Sequence, residues 1–387
     1  MGSHNLYISG LLLLATGCGL PIGSNQGGQG PPSGDRIEFS PVGNYSYVPT
    51  ISTRVVNAFK VDMNASSRMS GVGTTDVRPT SRIVFHSNHL YAYMAKELDP
   101  RRGPGAIAVY HFRADTGALE EIASETLPNY SFSDDLVISP DGRFLVAGVS
   151  GGQGPGRILI YSIHADTGLL SLLSNTPLQN ASDAVRIRPD GRWLYSLDSY
   201  RSKMLVFSFD AETGAIALTQ NLASADKPTD FQLHPSGKYA YLGSTTGTGL
   251  TVYALSDAGG FTVLETPPLD NSDLSSGFAE SDLAAPGAYV SSIAVSQDGR
   301  YIYVNMPCYR VIHVLEVNEE TGHLSPAERE TDVNEDCVRG LTLTLTPDGR
   351  YAIVPTGETI EGATILYYSV NTRTGHLGRI GHQVWKN

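Results

Sequence analysis

Six residues ahead of a turn that recurs along this chain stand Asp35, Thr80, Asp134, Asp183, Thr229, Ser291 and Leu341. Asp134 and Asp183 come from successive repeats. Asp135 and Asp230 lie one position on in their own repeats, and Asp198 closes a strand in the same repeat as Asp183. Carboxylates brought to one rim repel one another, and such a group is kept by a bound cation or by proton transfer. Two chemistries follow: a divalent cation held by Asp134 and Asp183, or a water activated by one of them. Arg78 and Arg339 each precede the same column by two residues and would stabilise an oxyanion. The catalytic candidates are therefore Asp134, Asp183 and Arg339; the ligand-binding candidates are Arg78, Asp135, Asp198 and Asp230. A plainer role is open to each Asp, which can cap its own loop by accepting from backbone amides.

Other motifs contribute little. The string Gly148-Val149-Ser150-Gly151-Gly152 matches Gly-x-Ser-x-Gly, but a nucleophile elbow needs a strand before it and a helix after it. Here a Gly/Pro loop follows instead. The chain has no Cys-x-x-Cys, His-Glu-x-x-His, EF-hand loop or phosphate-binding glycine loop. His111, His164 and His313 fall in or beside apolar strands and read as packed or surface side chains. A formal net charge of −12, with no basic run longer than Arg101-Arg102, excludes a nucleic-acid footprint. The expected partner is a small molecule or a protein.

The elements that position these residues follow from two interleaved phrases. The first is Pro-Asp-Gly-Arg followed by alternating aromatic and aliphatic residues. It is clean at Pro140, Pro189 and Pro347 and degenerate at Pro41, His86, Pro235 and Gln297. The second ends an apolar strand in Asp-x-x-Thr-Gly, as in VYHFRADTG (Val109 to Gly117) and IYSIHADTG (Ile160 to Gly168). Two turn types per repeat, each flanked by period-two alternation, give two hairpins and hence four antiparallel strands. Seven repeats at a period near 50 residues make a propeller. The expected fold is all-β: a seven-bladed β-propeller over residues 36–387, with its carboxylate column at the mouth opposite the Pro-Asp-Gly-Arg turns. The acidic insertion from Pro267 to Gly287 reads as a surface loop.

Residues 1–35 differ from the rest. Leu6 to Ala15 is apolar but too short to span a bilayer. Leu14-Ala15-Thr16-Gly17-Cys18 resembles the cleavage box of bacterial lipoproteins, although no Lys or Arg precedes the apolar run. The expectation is a signal peptide over 1–17, acylation at Cys18 and a Gly/Pro/Ser-rich tether over 18–35. An ordinary secretory signal with an incidental Cys is the other reading. Either way the propeller works outside the cytoplasm as a monomer in the cell envelope. It meets the membrane only through a lipid anchor, facing the periplasm or held at the outer membrane if the cell is Gram-negative. Cys308 and Cys337 fall on neighbouring blades at the same mouth, so a disulfide between them is expected in that oxidising compartment, with two free thiols as the other reading.

The pairing of Pro-Asp-Gly-Arg with Val-Tyr-x-x-Asp-x-x-Thr-Gly resembles the seven-bladed lactonase family, which includes the propeller type of 6-phosphogluconolactonase. The resemblance implies a lactone (carboxylic ester) hydrolase. It also implies His or Arg-His at the start of the inner strands of blades 3 and 4, where this chain has Asp134 and Asp183-Ala184. The family's acidic residue after the second strand of blade 4 falls on Ser199, and an Arg in blade 6 falls on Pro307. The replaced set weighs toward an exported lactonase-like lipoprotein that binds a ligand without the usual catalytic set. The alternative is an active lactone hydrolase with a rebuilt site, in which a carboxylate activates water with or without a divalent cation.

Overall fold

The Pro-Asp-Gly-Arg turn closes a hairpin because each residue type does one job. In blade 3, Gly142 takes a positive φ of 77° and the Asp141 carboxylate accepts from the Arg143 N–H (3.1 Å) and the Ser139 hydroxyl (2.5 Å). The computed structural model describes residues 37–384 apart from 51–54, 66–67, 78, 99–104, 128–131, 151–155, 180–181, 226, 247, 270–289, 308–310, 332–341 and 357–363. Among the described residues the regular elements are strands, grouped into seven antiparallel sheets of four consecutive strands each. The seven-bladed propeller is thus present as expected. Arg78, Arg339, Cys308 and Cys337, the anchor and tether before Ile37, and most of the acidic insertion lie outside the described residues.

The first strands of the blades line the ring's interior: Glu38–Phe39, Pro79–Phe85, Phe132–Ile138, Ala184–Ile187, Pro228–Leu233, Ser292–Val295 and Thr344–Leu345. The apolar core lies between blades, in seven clusters that each straddle one boundary. The blade 3–4 cluster, for example, joins Val146 and Ile160 to Val185, Leu194 and Phe207. Stacking each blade on the next is therefore what removes apolar surface from water.

The two sequence phrases meet across these boundaries. At six of the seven boundaries the aromatic that opens a second strand lies against the glycine of the next blade's second turn, which is the Thr-Gly glycine in five of them. A Cβ on Gly168 would come within 2.4 Å of the Tyr91 ring, and one on Gly322 within 2.3 Å of the Tyr239 ring. The same contact joins Tyr45 to Gly117, Phe144 to Gly214, Trp193 to Gly259 and Tyr301 to Gly375. Polar tips then reach backbone carbonyls of that turn. Tyr91 donates to Asp166 (2.6 Å), Tyr301 to Arg373 (2.6 Å) and the Trp193 indole to Asp257 (3.1 Å). Two residues along, buried Tyr47, Tyr93 and Tyr303 donate to the carbonyls of Gly117, Gly168 and Gly375.

Three features were not legible in the sequence. Blade 2 carries its first turn one residue later than His86 suggests: His86 is the capping residue, and His89 holds the positive φ (62°) that glycine supplies elsewhere. In every blade the outermost strand bulges at the same point, as between Val206 and Phe207. Such a bulge sharpens the twist of an exposed edge and discourages pairing with another chain. The ring also closes without exchanging a strand, since Glu38 pairs with Tyr47 inside blade 1 and blade 7 owns its four strands. Closure instead uses side chains. Gln383 exchanges two hydrogen bonds with the Met69 backbone (3.3 and 2.9 Å), while Arg68 donates to the Ile380 carbonyl and lies over the Tyr367 ring.

Two glycines separate backbone strain from blade contact. Gly322 (φ 76°) faces the Tyr239 ring, whereas Gly349 (φ 66°) has open space where a Cβ would go. Gly349→Ala should cost about 1 kcal/mol, from the left-handed backbone alone. Gly322→Ala should cost at least about 2 kcal/mol more, because an aromatic ring must leave its seat. Thermal unfolding of the two variants measures the difference.

Candidate functional site

Asp183 stands immediately before the inner strand of blade 4, its N–H tied to the Leu197 carbonyl (2.8 Å). One carboxylate oxygen accepts from both the backbone N–H (2.7 Å) and the hydroxyl (2.5 Å) of Ser199. Asp198 ends the second strand (Trp193–Asp198) and is fully buried. Its carboxylate accepts from the Arg201 N–H (2.9 Å) and pairs with the Arg201 guanidinium (3.3 Å). Residues 198–202 thus form a short turn pinned at both ends, to Asp183 and to Asp198. Ser202, its last residue, holds a positive φ of 51°, which a side-chain-bearing residue adopts only when its surroundings impose it.

Burial pushes the Asp183 carboxyl above the usual carboxylate range, and the neighbouring Asp198 charge pushes the same way. The two Ser199 hydrogen bonds oppose this without cancelling it. Such a group exchanges protons nearer neutrality than an ordinary Asp, as a general base for water requires.

The other carboxylates are occupied. Asp135 is buried in the channel wall, where Arg82 of blade 2 (2.9 Å) and Arg186 of blade 4 both pair with it. Its oxygens also accept from the N–H groups of Leu136 (3.0 Å) and Val185 (3.2 Å). Burial pushes Asp135 up, but Arg82 and Arg186 outweigh it and hold the carboxyl below the usual range. For Arg82, burial works against the charge, and Asp135, Glu38 and Asp230 overcome it. Asp230 repeats the arrangement two blades on, accepting from Phe231 (2.8 Å) and Gln232 (2.9 Å) of its own strand and from Ile293 of blade 6 (2.8 Å). Ser292 does the same for Leu343 of blade 7 (2.9 Å), and Arg82 donates to the Leu136 carbonyl (3.2 Å). The column five residues before the turn therefore stitches one inner strand to the next.

Asp134 occupies a bulge on the inner strand of blade 3. Gly148 opposes Asp135 and Val149 opposes Ser133, which leaves Asp134 with no residue opposite; its side chain lies outside the described residues. Among the described residues no three His, Cys, Asp or Glu side chains gather as a cation site would require. Gly148 itself has a packing reason, because a Cβ there would come within 2.6 Å of the Ser182 hydroxyl. Of the sequence candidates, the structure brings Asp183 and Asp198 together. Ser199, Tyr200 and Arg201 complete the cluster and were missed as a unit. The signal available in sequence was the Asp198-to-Arg201 spacing of three within a turn.

A propeller of seven four-stranded blades defines the class. The profile of the Lactonase, 7-bladed beta-propeller family matches residues 21–233, 174–266 and 228–386, which together span most of the chain. The chain belongs to that family. It is 28% identical over 179 residues to a 6-phosphogluconolactonase of Formosa agariphila, a match covering 43% of this chain and 48% of that protein. The chain thus spans about half the length of that curated relative. Among solved structures, the periplasmic gluconolactonase PpgL of Pseudomonas aeruginosa superposes with a TM-score of 0.68 at 19% identity, over 86% of this chain and 92% of that one. A provisionally designated 6-phosphogluconolactonase from Bacteroides fragilis gives 0.68 at 18% identity, over 88% and 95%. At these identities the superpositions speak for the fold.

The Asp135 network predicts a pH-dependent loss. Asp135→Asn leaves Arg82 and Arg186 without their anion and should destabilise the protein by roughly 3–5 kcal/mol near neutral pH. Because the folded carboxyl titrates below the unfolded one, its contribution is complete above the ordinary Asp range and fades as pH falls through that range toward the folded value. Unfolding midpoints of wild type and variant should therefore converge in acid. A gap that persists unchanged at low pH would contradict the ion-pair account.

Proposed function

We propose that this protein is a lactone hydrolase that opens a sugar lactone at the mouth of blade 4, with Asp183 as general base. The observation that supports it most is the raised Asp183 carboxyl beside the buried Asp198. The family's positions here hold Asp183 and Ser199 in place of the residues that the resemblance implies. A hydrogen-bonded carboxyl lifted by burial can replace them for water activation. In the reaction, Asp183 takes a proton as the water oxygen bonds to the lactone carbonyl carbon. The ring C–O bond then breaks and the proton passes to the departing ring oxygen, giving the open hydroxy acid. Arg201, whose guanidinium is half exposed while tied to Asp198 in the same turn as Ser199, would stabilise the oxyanion. The substrate class is drawn from the relatives, two of them designated 6-phosphogluconolactonases and one a periplasmic gluconolactonase.

Asp183→Asn separates catalysis from structure. Hydrolysis of a lactone panel should fall by about 10²–10⁴-fold. Stability should stay level or rise near neutral pH. A carboxyl whose folded pKa is raised destabilises the fold once ionised, an effect absent below the ordinary Asp range and complete above the folded value. The wild-type kcat/KM should rise with pH through a midpoint above the ordinary Asp range. If wild type hydrolyses no lactone while still binding one, the propeller is a binding protein, as the replaced residue set would favour.

We further propose that the protein is exported and held to a membrane by acyl groups on Cys18. The apolar run from Leu6 to Ala15, followed closely by Cys18, supports this, as does the periplasmic setting of the Pseudomonas relative. Cys18→Ser should move the protein from the membrane to the soluble fraction on cell fractionation. An unchanged distribution would remove the anchor from consideration.

A further inference from the structure

Tyr200 is 74% exposed, while every other exposed large hydrophobic residue among those described is at 57% or less. An aromatic side chain this open contributes nothing to blade stacking, where the other large rings of the repeat are used. Its position is nevertheless fixed. The residue before it, Ser199, is bonded to Asp183, and the residue after it, Arg201, is bonded to Asp198 through both backbone and guanidinium. The Arg201 guanidinium lies 6.0 Å from the centre of the Tyr200 ring, close enough for a cation–π contact that steadies the ring's orientation. The strained φ of Ser202 and a hydrogen bond from the Lys227 N–H to the Ser202 hydroxyl (3.1 Å) hold the far side of the turn. Lys227 also has a positive φ (48°), so two strained side-chain-bearing residues support this one turn.

A flat, half-apolar, pre-positioned face one residue along from the Ser199 that is bonded to Asp183 suits a saturated ring with C–H groups on one side and hydroxyls on its rim. Little side-chain entropy is lost when such a ring is covered, because the turn is already ordered. We propose that Tyr200 is the specificity-determining platform of the blade 4 site, stacking against the C–H face of a pyranose-type lactone and so orienting its carbonyl toward Asp183. This rests on the hydrolase reading above for the reaction, though not for the binding. Tyr200 touches substrate without taking part in proton transfer.

The test compares D-glucono-1,5-lactone with γ-butyrolactone, which lacks the pyranose face, on wild type, Tyr200→Ala and Tyr200→Phe. Tyr200→Ala should lower kcat/KM for the gluconolactone about three- to tenfold, chiefly through KM, and Tyr200→Phe should restore it. The loss on γ-butyrolactone should stay within about twofold. Equal losses on both lactones, or a loss carried by kcat alone, would overturn the platform. Should wild type hydrolyse neither compound, the hydrolase reading fails by itself. Calorimetric binding of gluconolactam, whose ring nitrogen resists hydrolysis, then decides the matter. Binding weakened in Tyr200→Ala and regained in Tyr200→Phe supports the platform; indifference to both substitutions, or no binding at all, refutes it.

Discussion

One contact governs this molecule: an aromatic ring from one blade seated on a glycine of the next. At six boundaries the ring follows the first turn of its blade and the glycine belongs to the second turn of the next, a Thr-Gly at five of them and Ala258-Gly259 at the other, so the two phrases are halves of a single joint. The glycine is required twice over, by its positive φ and by the ring lying where a Cβ would stand. Proline, aspartate and glycine set where the ring emerges, and the second turn sets where it lands. A change at either half disturbs a neighbour, which explains why the repeats agree best at this end of the blade. The seventh boundary has no such glycine, and Gln383 and Arg68 perform the closure with backbone bonds and a cation over a ring.

Locking one end of every blade leaves the other end free to vary. Inner strands share no backbone ladder, so polar side chains five residues ahead of the turn link them: Arg82, Asp135, Asp230 and Ser292. Those groups are satisfied within the protein and have little to offer a ligand. One residue further from the turn, the chain has left the wall. Asp183 spends one oxygen on Ser199, lies beside a second carboxyl and pays for its position in ionisation free energy. The ion-paired carboxylate of Asp135 and the raised carboxyl of Asp183 thus differ by a single position in the repeat.

That single position marks how far the sequence could be read. The blades, strand count and turn identities were legible because periodicity and turn chemistry are local. Blade 2 was misaligned by one residue because His89 supplies a left-handed turn residue where glycine was the guide. Strand-free closure was hidden for a different reason, since Arg68 and Gln383 stand more than three hundred residues from their partners. Asp135, Asp183 and Asp230 read alike in the chain. What distinguishes them is the N–H of Val185 or Ile293 arriving from the next blade, and the guanidinium groups of Arg82 and Arg186. Tyr200 and Arg201 escaped notice because their turn matches no repeat, so pattern analysis passed over them.

The contrast between Asp135 and Asp183 also bears on why the proposed site stands on blade 4. Both carboxyls are desolvated, and desolvation alone would push both up. Asp135 meets two guanidinium groups and is driven the other way, into a stable ion pair that proton exchange would break. Asp183 accepts from the Ser199 hydroxyl and amide, and the charge that acts on it is the like charge of Asp198. The Arg201 guanidinium of the same turn is committed to Asp198. Asp183 is thus left with no cation to drive its carboxyl down, and a carboxyl in that state can accept a proton and release it again.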